Sequence, residues 1–575
     1  MTVLVIGGGI SGLACAWRLR QRGVPVLLLE RGSRFGGVIG RIEKDGFDFD
    51  VGPQSFSATP PLAKLIDELG LAGQVLSADP RAPRYILLHR RLVRAPLGPA
   101  EFFATPLIGW RTKLRILGEP LARTQPPPGD ESISSFVRRK FGGDLLTNLV
   151  APFVSGVYAG DPEKLSLASA FPRLRQLEEK HGSIIRGALM SRRNRGGRDA
   201  GAGAQLNRSG NRSGGKSGEA SAAGGAHGGG ARPSLCNFKR GVAALPEALA
   251  EKLGAAAVCG AQIAELGTVV RAVIRGEVGA VVRGEARRTG GVAQEPDGSG
   301  AGTFHVAYDA GGVTHALDVS AIVVATPTTE AAELLAGVEP RFASLLGQIE
   351  YASVAQVCMG YRSEQIRGAA ANRANRSRIE GGAKGFGFLV PRTENLRTLG
   401  TVWNSSLFPD RFSLASIENS FTENLPELFP GSASGAGDGG THGAPSRGET
   451  TFPGAVFTSF LGGATDPDIC RLSEAEIAEI AQAEFSSIME PVMGISARPA
   501  AIHVVRWMRA LPQYNLGHAR IADELRQLCA ATPGIFLAGN YLAGPSLGAC
   551  VEQANSVAED AERFASGDAN RPRES

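Results

Sequence analysis

The chain has 575 residues, 43% of them hydrophobic, too long for one ordinary core and ample to bury two or three. Its formal charge of +5 is modest for that length, and its seven scattered cysteines form no Cys-x-x-Cys pair, which argues against a disulfide framework or a cysteine metal site. No run of about 18 apolar residues and no basic-then-apolar leader is evident, so a cytoplasmic location is expected, and nothing resembles a nucleic-acid module.

In chain order, Val3-Leu4-Val5-Ile6 predicts a buried strand that runs into Gly7-Gly8-Gly9-Ile10-Ser11-Gly12. Gly7, Gly9 and Gly12 have the G-x-G-x-x-G spacing of a dinucleotide site: a tight turn, close backbone approach to a pyrophosphate, and close helix–sheet packing. The helix expected over 11–22 aims its N–H groups and positive dipole end at the phosphates. Gly23 stops it, Val24–Leu29 reads as a second parallel strand, and Glu30 falls where a carboxylate accepts both ribose hydroxyls, which argues against a 2′-phosphate.

Basic residues concentrate next, with Arg81, Arg84, Arg90, Arg91, Arg94, Arg111, Lys113 and Arg115 interleaved with Ile86-Leu87-Leu88 and Phe102-Phe103. They read either as a solvated rim or as a surface for an anionic amphiphile or membrane. Residues 192–233, with shorter stretches at 284–302, 367–384 and 431–449, are rich in Gly, Ala, Ser, Arg and Asn and read as disordered insertions. Val242–Leu253 has helical spacing, Val258–Val273 reads as strand and turn, and Val319–Pro327 is a buried strand ending at a proline. Gly534–Asn540 reads as a last strand with a Gly-Asn corner, and Pro545–Ala554 opens a helix whose positive N-terminal end suits negative charge.

Arg34-Phe35-Gly36-Gly37 after Glu30 resembles the flavoprotein amine-oxidase superfamily, where R-x-G-G continues an FAD phosphate site, and Asp48–Pro53 looks like the segment that returns toward the flavin ring. Further motifs resemble the oxygen-dependent protoporphyrinogen oxidase family in the same order: Phe153–Ser166, Gly182–Ile185, Gly385–Pro391, Leu407–Arg411, Phe460–Gly463, Pro512–His518 and Ala538–Asn540. The resemblance implies an α/β fold: an FAD-binding Rossmann-like domain, a mixed-sheet substrate domain and a helical membrane-associating domain. On that expectation the FAD domain takes 1–80, 235–335 and 501–565, and the substrate domain takes 81–94 and 336–500. The helical domain takes 95–190, where Phe102, Phe103, Leu107, Ile108 and Trp110 would insert in a membrane. Residues 191–234 and 566–575 would be a disordered insertion and tail.

The resemblance further implies FAD as cofactor, no metal, and six-electron oxidation of a porphyrinogen, with oxygen reduced to hydrogen peroxide. Its cofactor positions are Gly7, Gly8, Gly9, Ile10, Ser11, Gly12, Glu30, Arg31, Arg34, Gly36, Gly37, Gly52, Pro53, Gln54, Val270, Ala325, Gly539, Asn540, Ser546, Leu547 and Gly548. Arg84 matches an arginine that pairs with a substrate propionate. Gly156 falls in a substrate segment, Leu389 and Val402 match an aliphatic pair holding one pyrrole ring, and Phe460 matches a group stacking on another. No residue stands out as a catalytic acid or base, and His181 and His518 read as structural. Protoporphyrinogen is the leading substrate and coproporphyrinogen III the alternative. A carotenoid desaturase, an amine oxidase or a non-catalytic flavin-binding membrane scaffold are more distant readings. Expected partners are the porphyrinogen, oxygen, the inner face of the plasma membrane, a second copy of the chain and a ferrochelatase receiving product.

Overall fold

The computed structural model describes residues 2–121, 125–190, 234–269, 303–366, 384–412 and 454–567. Nearly all of the low-complexity stretches, and Val270, lie outside those ranges.

Five parallel strands form the sheet of the unit expected to hold the nucleotide, in the order Ala257–Cys259, Val26–Glu30, Val3–Ile6, Ala321–Val324 and Ile535–Leu537. The two central strands are buried on both faces, as continuous apolar runs require. Helices Ile10–Gln21, Ala244–Leu253 and Leu547–Ala565 cover one face, with Leu13, Leu19, Leu249 and Val551 buried together. The other face packs on an antiparallel sheet of Gln262–Val269, Thr303–Ala310 and Val313–Val319 and on helices Thr328–Leu335, Pro340–Leu346 and His518–Ala531. Phe342 and Leu346 are buried in that cluster, so residues 340–346, expected in the substrate domain, belong to the nucleotide unit.

The second unit is a seven-stranded sheet ordered Ala501–Pro512, Tyr351–Arg362, Gly454–Gly462, Thr398–Val402, Gly387–Leu389, Arg84–Leu88 and Arg91–Arg94. It is mixed, since Gly387–Leu389 pairs in parallel with Arg84–Leu88 while the other neighbours are antiparallel. Strand Ala501–Pro512, expected in the FAD domain, pairs with Tyr351–Arg362 along nearly its whole length and so extends this sheet instead. Side chains alternate across it. Ala355, Val357, Met359 and Leu461 face helix Glu474–Met493, packing on Ile477, Ala481 and Phe485, while Val354, Gln356 and Phe460 face the nucleotide unit.

A third, helical unit runs from Pro99–Ala104 through Pro172–His181. Its interior is unusually ionic: Glu178, fully buried, receives Arg139 and Lys140, and Glu119 accepts from Ser183 Oγ and the N–H groups of Ile184 and Ile185. Burial alone would push the Glu178 carboxyl up, but the hydrogen bonds from Arg139 and Lys140 outweigh it and hold it below the ordinary carboxylate value. The expected set of inserting side chains divides here. Leu107 and Ile108 are core, packed with Ile86, and Phe102 leans on them, whereas Phe103 and Trp110 are exposed, Trp110 at 66%. Among the described residues no helix is long and apolar enough to cross a membrane.

Candidate functional site

A cavity of about 1000 Å³ runs between the two sheets, at the upper end of the roughly 300–1000 Å³ typical of ligand pockets. One half is built by the nucleotide unit. Strand Val3–Ile6 ends at Gly7, whose φ of +109° turns the chain sharply, and Gly9 leads into helix Ile10–Gln21 without any side-chain cap. The helix N-terminus therefore presents its first N–H groups toward the cavity, an anion site by construction. Gly12 sits so close to Gly7 that a Cβ there would meet the Gly7 carbonyl oxygen at 1.9 Å. A Cβ on Gly9 would meet no protein atom within 4 Å, leaving its face open to a ligand. Glu30, at the end of its strand, accepts from the N–H groups of Gly8 and Gly32, each at 2.6 Å, and its carboxylate edge lines the cavity.

Gly36, Gly37, Gly52 and Pro53 also line the cavity, as do Ala325, Gly539, Asn540 and Leu547. The Gly539 N–H donates to Gln553 Oε1 at 2.9 Å, and the Asn540 carbonyl accepts the Tyr514 hydroxyl. The far half is more apolar: Gly156, Val157 and Ala159 from the helical unit face Val354, Leu399, Phe460 and Leu511 from the large sheet. Of the titratable side chains lining the cavity, Cys550 is pushed up to about 11 by burial, opposed by a hydrogen bond from Ser11, and burial also raises Tyr351. Both stay protonated near neutral pH.

Gly7, Gly9, Ile10, Ser11, Glu30, Arg31, Gly36, Gly37, Gly52, Pro53, Ala325, Gly539, Asn540, Leu547, Gly156 and Phe460, all marked out in the sequence, line this one cavity. Several others lie behind it. The Gly8 N–H is held by Glu30, and Gly12 packs helix on strand. Arg34 gives its guanidinium to the carbonyls of Phe35, Gly37 and Ile39, so it shapes the glycine loop from outside. Gln54 is buried in a network with Asn404 and Thr458. Ser546 caps its helix through the Ala549 N–H, and Gly548 makes room for Thr59.

Arg84, Leu389 and Val402 also stand outside the lining, yet strand register places them on the cavity side of the sheet. Ile86, Leu389, Gly400 and Phe460 form one cross-strand row, and Arg84, Gly387, Val402 and Thr458 form the next, one pleat further along. Leu389 reaches the cavity wall, since a Cβ on Gly156 would lie 2.4 Å from its Cδ2. Arg84 stacks its guanidinium on Phe386, 5.3 Å from the ring centre. Trp507, Arg509 and Glu330 line the cavity without having been expected there. Glu330 accepts from Arg509 at 2.8 Å and sits 3.7 Å from Arg31, tying the two units at the cavity edge. The alternation of Trp507, Arg509 and Leu511 ahead of the Pro512–His518 motif was the available signal.

The donor set fits a dinucleotide: an uncapped helix start, a second-strand acid, and glycines whose Cβ atoms would close the cradle. Comparison with known proteins agrees. A family model described as flavin-containing amine oxidoreductase matches residues 10–561. The chloroplastic protoporphyrinogen oxidase of Nicotiana tabacum is 28% identical over 98% of this chain and 86% of its own length. The coproporphyrinogen III oxidase of Bacillus subtilis is 26% identical, over 97% of each. Among solved structures, one from Exiguobacterium sp. 255-15, provisionally named a protoporphyrinogen oxidase, superposes with a TM-score of 0.64 at 20% identity, covering 98% of each chain.

Proposed function

The chain belongs to the flavin-containing amine oxidoreductase family, and on that premise we propose that it oxidises protoporphyrinogen IX to protoporphyrin IX with FAD, three O₂ becoming three H₂O₂. The observation that carries this reading is the cavity of about 1000 Å³, lined by the glycine turn at Gly7 and Gly9 and by apolar side chains between Gly156 and Phe460. The relatives named above act on porphyrinogens by name, and they match over nearly the whole chain.

In this reading the N–H groups opening helix Ile10–Gln21 take the pyrophosphate, and Glu30 takes the adenosine ribose. The flavin, when bound, supplies the two-electron acceptor. The chain supplies alignment and dryness. Val354, Leu399, Phe460 and Leu511 line the porphyrinogen's side of the cavity with apolar groups, Leu389 backs Gly156 against it, and the pyrrole N–H protons leave to water past the backbone carbonyls near 156–160, which offer hydrogen-bond acceptors on the way. Arg84 would take a propionate where the row beyond Leu389 meets solvent.

Charge separates the two porphyrinogens. Coproporphyrinogen III brings four carboxylates, but the lining cations are Arg31 and Arg509, both already beside Glu330, and Arg90 and Arg94 pair with Glu394 and Glu101 on a surface hairpin. That distribution favours the less charged substrate. The test mixes FAD-loaded protein with each porphyrinogen in air and follows porphyrin fluorescence over uncatalysed controls. Faster turnover of protoporphyrinogen is expected; preference for coproporphyrinogen reverses the assignment, and oxidation of neither overturns it.

The helical unit completes the proposal as a peripheral membrane anchor on the cytoplasmic face. On helix Trp110–Gly118, Trp110, Leu114 and Leu117 are exposed at i, i+4 and i+7, beside Arg111, Lys113 and Arg115. Such a stripe would lie in an anionic interface without spanning it.

A further inference from the structure

We propose that Gln356 is a positioning residue whose side-chain amide sets the gap between the cofactor-side and substrate-side walls of the cavity, an inference that rests on the reading above. Gln356 is fully buried in the middle of an apolar strand, between Ala355 and Val357. An amide there is unfavourable unless both ends are bonded, and both are, across the boundary between the two units. Nε2 donates to the Asp50 carbonyl at 2.8 Å and Oε1 accepts the Gly52 N–H at 2.8 Å.

The amide thus stands in for a strand partner, clipping the end of strand Phe47–Val51 to the large sheet. Gly52 and the following Pro53 line the cavity, while Gln356 lies directly opposite Phe460 in register, and Phe460 lines the cavity too. One side chain therefore fixes both walls. The clipped segment has no slack, since Gly52 holds φ at +92° and any Cβ there would lie 2.4 Å from the Val38 carbonyl oxygen. The same segment is gripped again by its side chain: the Asp50 carboxylate receives Arg411, Asn237 Nδ2 at 2.9 Å and the Val242 N–H at 3.0 Å.

A polar contact that merely stabilised the sheet would look like the Thr401–Ser459 pair, buried across the next two strands at 2.8 Å but pointing to the opposite face. That pair is the control. We compare Gln356→Met, the isosteric Gln356→Glu and Thr401→Val for FAD dissociation constant, visible circular dichroism of the bound flavin, apoprotein melting, and kcat and KM for protoporphyrinogen. Gln356→Met should raise the FAD dissociation constant at least tenfold, change the visible dichroism, and lower kcat at least tenfold with KM within threefold. Gln356→Glu keeps an acceptor for Gly52 and, when its buried carboxyl is protonated, a donor for Asp50, so it should fall between. Thr401→Val should lower only the melting temperature. If both Gln356 variants match Thr401→Val in flavin affinity and dichroism, the positioning role is overturned; should Gln356→Met not fold, Gln356→Glu decides. A wild-type protein inactive on porphyrinogens would refute the substrate assignment, yet the flavin measurements would still judge Gln356.

Discussion

Alanine at Gly9 and at Gly12 should have opposite consequences, although the motif treats the two glycines alike. At Gly12 the new methyl would sit 1.9 Å from the Gly7 carbonyl oxygen and 3.2 Å from Ala325 Cβ, and a backbone oxygen cannot rotate away. Relief needs a shift of more than about 1 Å between helix Ile10–Gln21 and strand Val3–Ile6, which pulls Leu13, Ala14, Ala16 and Leu19 out of register with their core. Overpacking of this kind costs roughly 3 kcal/mol. At Gly9 the backbone is already extended, with φ −72° and ψ 175°, and the methyl meets no protein atom within 4 Å. Gly9→Ala should fold with stability within about 0.5 kcal/mol of wild type, while its methyl occupies the approach of the pyrophosphate and weakens FAD binding about tenfold or more, or about 1.4 kcal/mol. Thermal melts of the two apoproteins, followed by fluorescence titration with FAD, make the comparison. Equal melting of both variants, or Gly9→Ala binding FAD as wild type does, would refute the reasoning.

Arg84→Ala should raise KM for a porphyrinogen while FAD content stays normal; an unchanged KM removes Arg84 from the substrate's reach. Arg411→Met leaves Asp50 buried beside Asp48 without its cation, and should cost about 3–5 kcal/mol, read as a fall in urea midpoint; a shift under about 1 kcal/mol would mean the pair contributes little. Burial pushes the His518 imidazole down, against the pull of its bond to the Tyr541 carbonyl and of Asp130. The folded value lies below the unfolded one, so this contribution is complete above about pH 6.5 and is lost as pH falls through the folded value. Melting temperature should fall on acidification from pH 7, and less in His518→Gln; parallel curves would exclude His518 as the source. Replacing Trp110, Leu114 and Leu117 together by serine should abolish co-sedimentation with anionic vesicles and leave the melt unchanged; retained binding would place membrane contact elsewhere.

The candidate nucleotide cradle was legible because its parts are local. A strand, a glycine turn, a helix and a second-strand acid lie within thirty residues, and each has its own short-range signature in Val3–Ile6, Gly7–Gly12 and Glu30. The apolar half of the cavity is assembled by long-range register instead. Arg84, Leu389, Val402 and Phe460 share one face only because four strands, distant in sequence, pair in one particular alignment, and a slip of one residue would turn each side chain to the other face. Nor could apolar character separate Leu107 and Ile108, which are core, from Trp110, which is exposed, since burial depends on what the fold packs against each residue. Strand Ala501–Pro512 joined the large sheet, against expectation, because its partner Tyr351–Arg362 lies 150 residues earlier. Gln356 carried one faint mark, a lone amide within an apolar strand, but its meaning depends on Asp50 and Gly52 lying across from it. Hydrophobic pattern and turn chemistry determined which segments form and what cofactor they invite; the pairing of distant segments decided which side chains face the cavity, because contact between them exists only after the chain has closed.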